Sequence, residues 1–260
     1  MAKIALLPLV VLVLFILGSL ASLVMQVDGV MLFALINEPE IHFAITLSLS
    51  TSLISLFLAL MIGIPAAWAM ARLDFPAKRL IDIVLDLPMV TPPLVVGIGL
   101  LLLLGREGVA GSFFPDFAVM LFSPVGIVIA QTYVASAIIT RSASGAFRSL
   151  DSAYLSTAFN LGLSPLKTLV LVEIPLIWRT LLSGCVLALA RALGEFGATL
   201  MLAGATRLKT ETLPIAIYLN IASGDFSLAI ACALILITLA GLLLLILHVV
   251  QSKGVAYVNR

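Results

Sequence analysis

Six apolar segments, at residues 4–24, 43–70, 81–104, 119–140, 176–202 and 226–249, restrict what this chain can fold into. Each is about as long as the roughly 20 residues a helix needs to cross the hydrocarbon core of a bilayer. No water is available there to satisfy exposed backbone amides, and helices close those hydrogen bonds internally. The expected fold is all-α: a polytopic membrane protein of six transmembrane helices, a single domain over 1–260. Apolar residues make up 62% of the chain and charged ones 10%, against about 25% charged in a soluble domain. A net charge of +1 supplies no basic field for nucleic acid.

The first segment has some features of a signal peptide, with Lys3 before it and Ser19-Leu20-Ala21 near its end. Its apolar run exceeds the roughly 7–15 residues of a signal core, so a retained helix is expected. Cys185 and Cys232 lie inside apolar runs with no CxxC or metal-ligand spacing, and both are expected to be buried packing. His42 and His248 fall at opposite membrane boundaries and do not share a metal. No GxxxxGK[ST] phosphate loop, HExxH or Gly-x-Ser-x-Gly elbow occurs. The chain is therefore expected not to be an enzyme, with energy for any active transport supplied by another chain.

Charge in the connections predicts the topology, because Lys and Arg gather on the cytoplasmic side. Lys3, Arg72, Lys78, Arg79, Arg141, Arg148, Lys167, Arg179, Lys253 and Arg260 fall on one side; Arg106, Arg207 and Lys209 fall on the other. Ten against three puts both termini in the cytoplasm. The segments around 26–42, 105–117 and 203–225, rich in turn formers, then face outside. The stretch 141–175 is the longest polar one and is cytoplasmic. No internal repeat suggests a self-contained secondary transporter.

Within that stretch Asp151 is an N-cap candidate for a short amphipathic helix with Tyr154, Leu155, Ala158, Phe159 and Leu161 on its apolar side. Gly162 suits the left-handed position that ends a helix. Ser164-Pro165 then restarts one, with Pro at the first helical position. Helix, sharp turn and helix form a knob that a soluble partner can receive.

This stretch resembles the Glu-Ala-Ala loop of ABC importer permeases, the element that docks on the ATPase. Ser156-Thr157-Ala158 takes the Glu-Ala-Ala place, Gly162 keeps its spacing, and Val172-Glu173-Ile174-Pro175 takes the place of Ile-x-Leu-Pro. Ser156 replaces Glu and Thr157 replaces the first Ala, which removes one charged contact and keeps the geometric parts. The resemblance implies an ATPase-coupling element made of Asp151, Ser156, Thr157, Ala158, Phe159, Asn160, Leu161, Gly162, Leu163, Ser164 and Pro165. A second stretch, Ala190-Arg191-Ala192-Leu193-Gly194-Glu195-Phe196-Gly197-Ala198-Thr199, is similar to the Arg-x-x-Gly-Glu-Phe-Gly signature of molybdate, tungstate and sulfate permeases. Thr210-Glu211-Thr212-Leu213-Pro214-Ile215-Ala216-Ile217-Tyr218 resembles the loop before their last helix, most closely in the molybdate/tungstate branch.

Several membrane residues invite a role in a pathway. Arg191 and Glu195, four apart, share a helix face. Ionised groups at membrane depth point to a bundle interior. They form either a neutralising pair that pins the helix, or a positive point on an anion path with Glu195 limiting retention. Gly194 and Gly197 allow close helix approach or a local break. Pro88, Pro92 and Pro93 should kink or unwind the third segment, and Asp86 is expected to snorkel to the interface. Thr91, Pro92, Pro93, Arg191, Gly194, Glu195, Gly197 and Thr199 are the pathway or gate candidates. Ser48, Ser52, Ser55 and Ala59 form one small-residue stripe suited to helix packing.

The resemblance implies a type I ABC importer permease in the prokaryotic inner membrane. Its cargo is a tetrahedral oxyanion, molybdate or tungstate first, with sulfate or thiosulfate as the alternative. Its implied partners are a second copy of itself, two ATP-binding cassette subunits, an extracytoplasmic oxyanion-binding protein and membrane lipid, with no nucleic acid. No cofactor is bound by this chain; ATP and Mg belong to the partner ATPase. A passive anion channel, which needs no coupling knob, and a non-transporting scaffold, which needs neither a buried Arg191/Glu195 pair nor a proline-broken third span, are rivals from other classes.

Overall fold

The computed structural model describes residues 2–26, 38–114 and 119–255. Its described residues form helices and turns without strands, and six helices are long and apolar enough to cross a membrane. The elements are α1 (Ala2–Met25), α2 (Pro39–Arg72), α3 (Lys78–Val90), α4 (Pro93–Leu104) and α5 (Val109–Phe113). There follow α6 (Pro124–Ser149), α7 (Ser152–Asn160), α8 (Pro165–Leu193), α9 (Gly197–Ala203), α10 (Leu213–Ser223) and α11 (Phe226–Val255).

Helices α2 and α6 are the centre of the bundle. At 34 residues, α2 runs for about 50 Å, which exceeds the ~30 Å hydrocarbon core. The stripe Ser48, Ser52, Ser55 and Ala59 is buried as expected and continues through Gly63 and Ala67. Small residues let the backbones approach closely: a Cβ on Gly63 would lie 2.9 Å from Ile139 Cγ2 on α6. Cys232 is fully buried in an apolar cluster with Ile41, Ala44 and Leu213, whereas Cys185 is only half-buried beside Ala59 and Ala188. His42 and His248 are exposed on α2 and α11. Helix α1 exposes apolar side chains from Leu6 to Met25, a surface suited to lipid.

The third apolar segment is not one span. Consecutive Pro92 and Pro93 lack amide donors, and a proline pushes the residue before it out of the helical region. Thr91 accordingly sits at φ −70°, ψ 134°, so α3 stops at Val90 and α4 starts at Pro93. The crossing segment shifts to Pro93–Phe113. Helix α3 instead docks on α6, where Arg141 donates to Asp82 (3.0 Å) and Asp86 (2.8 Å). Asp86 is thus an ion-pair partner rather than a snorkelling residue.

The polar stretch 141–175 is shorter than its composition suggests. Helix α6 continues to Ser149 and α8 begins at Pro165, so only 150–164 lies between them. Polar residues near a helix end look like loop, but Arg141 and Arg148 keep helical register while reaching outward. The fifth segment also divides, into α8 and α9, at Gly194-Glu195-Phe196. Residues 203–225 are not all turn: Leu213, Ile215 and Ala216 of α10 are buried.

Candidate functional site

The 150–164 knob has the local structure its residues dictate. Asp151 accepts from the Ala153 amide at 2.9 Å and caps α7. The helix ends on Gly162 at φ +79°, where Leu163 N–H donates to Ala158 C=O at 3.1 Å and Gly162 N–H to Phe159 C=O at 2.9 Å. That pair of bonds is the Schellman closure, which needs a residue in the left-handed region. Ser164 precedes Pro165 at the helix start, without a side-chain capping bond.

The apolar side of α7 does not fold wholly inward. Ala158 is buried, while Tyr154, Phe159, Leu161 and Leu166 are half or more exposed. Ser156, Thr157, Asn160 and Ser164 are exposed beside them, and Leu163 is half-buried. The knob therefore presents a rigid, partly apolar surface at one end of the bundle.

The pathway candidates meet where two helix breaks face each other. A cavity of about 550 Å³ is lined by Pro92, Pro93, Leu94, Ala190, Arg191, Gly194, Glu195, Phe196 and Gly197. Arg191 Nη1 donates to Glu195 Oε2 at 2.5 Å; Glu195 is fully buried, whereas the arginine side chain is 36% exposed. Glu195 Oε1 also accepts from the Ala198 amide at 2.9 Å and so caps α9. Gly194 ends α8, and Gly197 permits contact: a Cβ there would lie 2.9 Å from Leu94 N. Thr91 flanks the cavity without lining it. Thr199 is buried in α9, its hydroxyl unpartnered, and does not line the cavity either.

Residues 59–257 match the family described as binding-protein-dependent transport system inner membrane component. The chain belongs to that family. Over 240 residues it is 36% identical to the molybdenum transport system permease protein ModB of Mycobacterium tuberculosis, covering 92% of this chain and 90% of that one. It is 28% identical to the sulfate transport system permease protein CysT of Salmonella typhimurium over 244 residues, 92% of this chain and 88% of that one. The fold matches a bacterial ABC transporter that imports alginate, with a TM-score of 0.76 at 16% identity over 96% of this chain and 93% of that one.

Three polar sites of this inner-membrane component escaped sequence reasoning. Glu173, only 2% exposed, accepts from Trp68 Nε1 at 3.0 Å and from Arg72 Nε and Nη2 at 2.9 and 2.8 Å. It closes a π-helical turn, Leu169–Glu173, just before Pro175. Pro175 has no amide to donate to the preceding turn, which is where a wider turn is tolerated. Gln131, also buried, donates to the Ala192 carbonyl at 3.0 Å and accepts from Ser55 at 3.1 Å, which ties the α8 break to α2 and α6. A lone amide in an apolar span was the available signal for it.

The third site lies at the end of the bundle opposite the knob. Arg207 donates to Glu40 and, at 3.0 Å, to Asn220 Oδ1. Glu211 is fully buried there; its Oε2 accepts from Leu208 N–H at 2.9 Å and its Oε1 has no donor. Burial, followed by the neighbouring Glu40, pushes the Glu211 carboxyl up to about 7 against the lowering pull of the Leu208 amide and Arg207. The sequence showed these residues as turn-rich loop; the pairing of Arg207 with Glu40 depends on a long-range contact.

Proposed function

We propose that this chain is the membrane-spanning permease of an ATP-driven importer of tetrahedral oxyanions, with molybdate or tungstate as cargo. The observation that carries the reading is the placing of Arg191 on the cavity between the α3/α4 and α8/α9 breaks. Broken helices at membrane depth are tolerated where they line a cavity. A guanidinium partly offset by Glu195 attracts a dianion without holding it long, and a pathway must release what it admits. The similarity to a molybdenum permease along almost the whole chain supports the cargo class. The weaker similarity to a sulfate permease supports sulfate as the second reading.

In this mechanism two copies of the chain enclose the path. The exposed α7 knob of each copy seats in a separate ATPase subunit, which binds the ATP and Mg. An extracytoplasmic binding protein delivers the anion to the end that carries Arg207. The knob end, rich in Arg and Lys, and both termini face the cytoplasm. ATP closes the ATPase pair, the knobs move with it, and the helix breaks open the cavity to the other side.

Uptake of radiolabelled molybdate into proteoliposomes holding this chain, its ATPase and its binding protein tests the reading. Uptake that needs ATP, with competition by tungstate stronger than by sulfate, is expected. ATP-independent equilibration would make the chain a passive channel, and preference for sulfate would move the cargo to the second reading.

A further inference from the structure

Resting on the importer reading above, we propose that Glu173 is a positioning residue that carries movement of the 150–164 knob into α2 through Arg72 and Trp68. The knob itself grips the bundle lightly. Almost all of α7 is exposed, with Ala158 its buried point, and Thr168 is buried in the first turn of α8. Helix α7 packs on the first turns of α8, so displacement of the knob reaches the bundle along α8 as well as through its Leu150 link to α6.

Just there α8 contains its wide turn, Leu169–Glu173, followed by Pro175. The amide of Ile174 reaches back to the Leu169 carbonyl, five residues away, and Pro175 supplies no amide at all. A helix with fewer and longer bonds bends more readily at that point. Taken alone, the turn absorbs a pull from the knob instead of transmitting it.

Glu173 is the last residue of that turn, and it is the one tied sideways. Both nitrogens of the Arg72 fork meet Oε2, and the Trp68 indole meets Oε1. Charge-assisted, forked bonds of this kind fix orientation as well as distance. Trp68 and Arg72 are one turn apart at the knob end of α2, the helix whose small-residue stripe packs on α6. At its other end α2 carries Glu40, bonded to Arg207. The bonds of Glu173 thus brace the soft turn against a long helix that reaches the opposite face.

The test uses the full complex of this chain with its ATPase and binding protein in proteoliposomes. Glu173→Gln keeps shape and one carbonyl acceptor but removes the charge that draws the Arg72 fork. The expected result is an uptake-to-hydrolysis ratio lowered about tenfold, the scale of one charge-assisted bond, with unchanged affinity for the ATPase. Trp68→Phe, which removes one donor, is expected to lower the ratio less. A ratio equal to wild type in Glu173→Gln, or uptake and hydrolysis falling in parallel, overturns the proposal. If Glu173→Gln does not assemble, a normal ratio in Trp68→Phe overturns it instead.

A spin label at exposed Ser50 on α2 gives a readout that does not depend on the anion carried. It should shift with ATP in the wild type and stay still in Glu173→Gln. A label that moves equally in both, or in neither, overturns the proposal. A wild-type complex whose label moves but which takes up no oxyanion defeats the functional reading alone.

Discussion

Glu195 accepts from Arg191 at 2.5 Å although the helix that carries Arg191 ends at Leu193. A pair four residues apart usually meets on a continuous helix. Here the chain turns at Gly194 and brings the carboxylate back, so that its second oxygen caps α9 through Ala198. One buried carboxylate serves as counter-ion to Arg191 and as acceptor at the start of α9; the cation in the last turn of α8 and the anion before α9 each suit the dipole of that helix end.

Arg191→Leu is expected to destabilise the protein by ~3–5 kcal/mol, because it leaves a buried carboxylate without its cation. Glu195→Gln should cost less, since the amide oxygen still accepts from Ala198. Replacing both residues by Leu should recover most of the stability but not all, as a missing helix cap costs ~1 kcal/mol. Thermal unfolding in detergent checks the order. A double variant as unstable as Arg191→Leu alone would show that pairing is not the source of the loss. A stable double variant with severely reduced uptake would give Arg191 a direct role toward the anion.

Gly162 separates docking geometry from simple tolerance. A Cβ at Gly162 meets nothing within 4 Å, so Gly162→Ala suffers only from its positive φ, a strain of about 1 kcal/mol. Gly162→Pro loses the bond to Phe159 and cannot adopt φ +79°. The proline variant is expected to insert normally yet uncouple ATP hydrolysis from uptake, with the alanine variant intermediate. Normal uptake rates in Gly162→Pro would remove the docking role of the knob.

Acid should stabilise the end of the bundle that carries Glu211. Its carboxyl titrates near 7 when folded, against 4.5 in a free chain, so between these values the folded protein holds a proton that the unfolded chain has lost. The contribution is complete below about pH 4.5 and fades as pH rises to about 7, then stays level. Unfolding measured from pH 5 to 8 should show this slope in the wild type and a flatter one in Glu211→Gln. An unchanged slope in the variant would assign the effect to another group.

The helical class, the number of spans and the outline of the knob were legible because each rests on local chemistry. Apolar run length, the Asp151 cap and the Gly162 turn are decided within a few residues. The α3/α4 break was half legible: three prolines announced a disruption, but the amphipathic character of α3 emerged only from its docking on Arg141. Glu173, Gln131 and Glu211 were not legible as a site. Glu173 and Gln131 meet partners far away in sequence, Arg72 and Ala192, and Glu211, though bonded locally to Leu208, is buried beside the distant Glu40. Polarity alone does not show which distant donor a buried acceptor meets.

The orientation rests on where the cations lie, and protease access tests it directly. A tag fused after Arg260 is expected to resist external protease in sealed right-side-out vesicles and to be cut once they are opened. Cleavage before opening would reverse the topology and place the knob outside, away from any ATPase.

The contact between α4 and α9 gives the last prediction, because two glycines hold it. A Cβ on Gly97 would lie 2.7 Å from Met201 Cβ and 2.8 Å from the Ala198 Cα; one on Gly197 would meet Leu94 N and Pro93 Cβ at 2.9 Å. Main-chain atoms cannot swing aside as a side-chain tip can, so each alanine must push the helices apart, at ~1–3 kcal/mol. Both variants demand the same separation, and their costs should sum to less than additivity. Gly99, on the same helix as Gly97, meets nothing within 4 Å, so Gly99→Ala should be neutral or stabilising by ~0.5–1 kcal/mol through helix propensity. The cavity beside Pro93 and Gly197 widens when the helices part. Gly97→Ala and Gly197→Ala are therefore expected to leak molybdate without ATP, while Gly99→Ala stays tight. Equal stability and equal leak in all three variants would mean that this crossing neither holds the bundle nor closes the path.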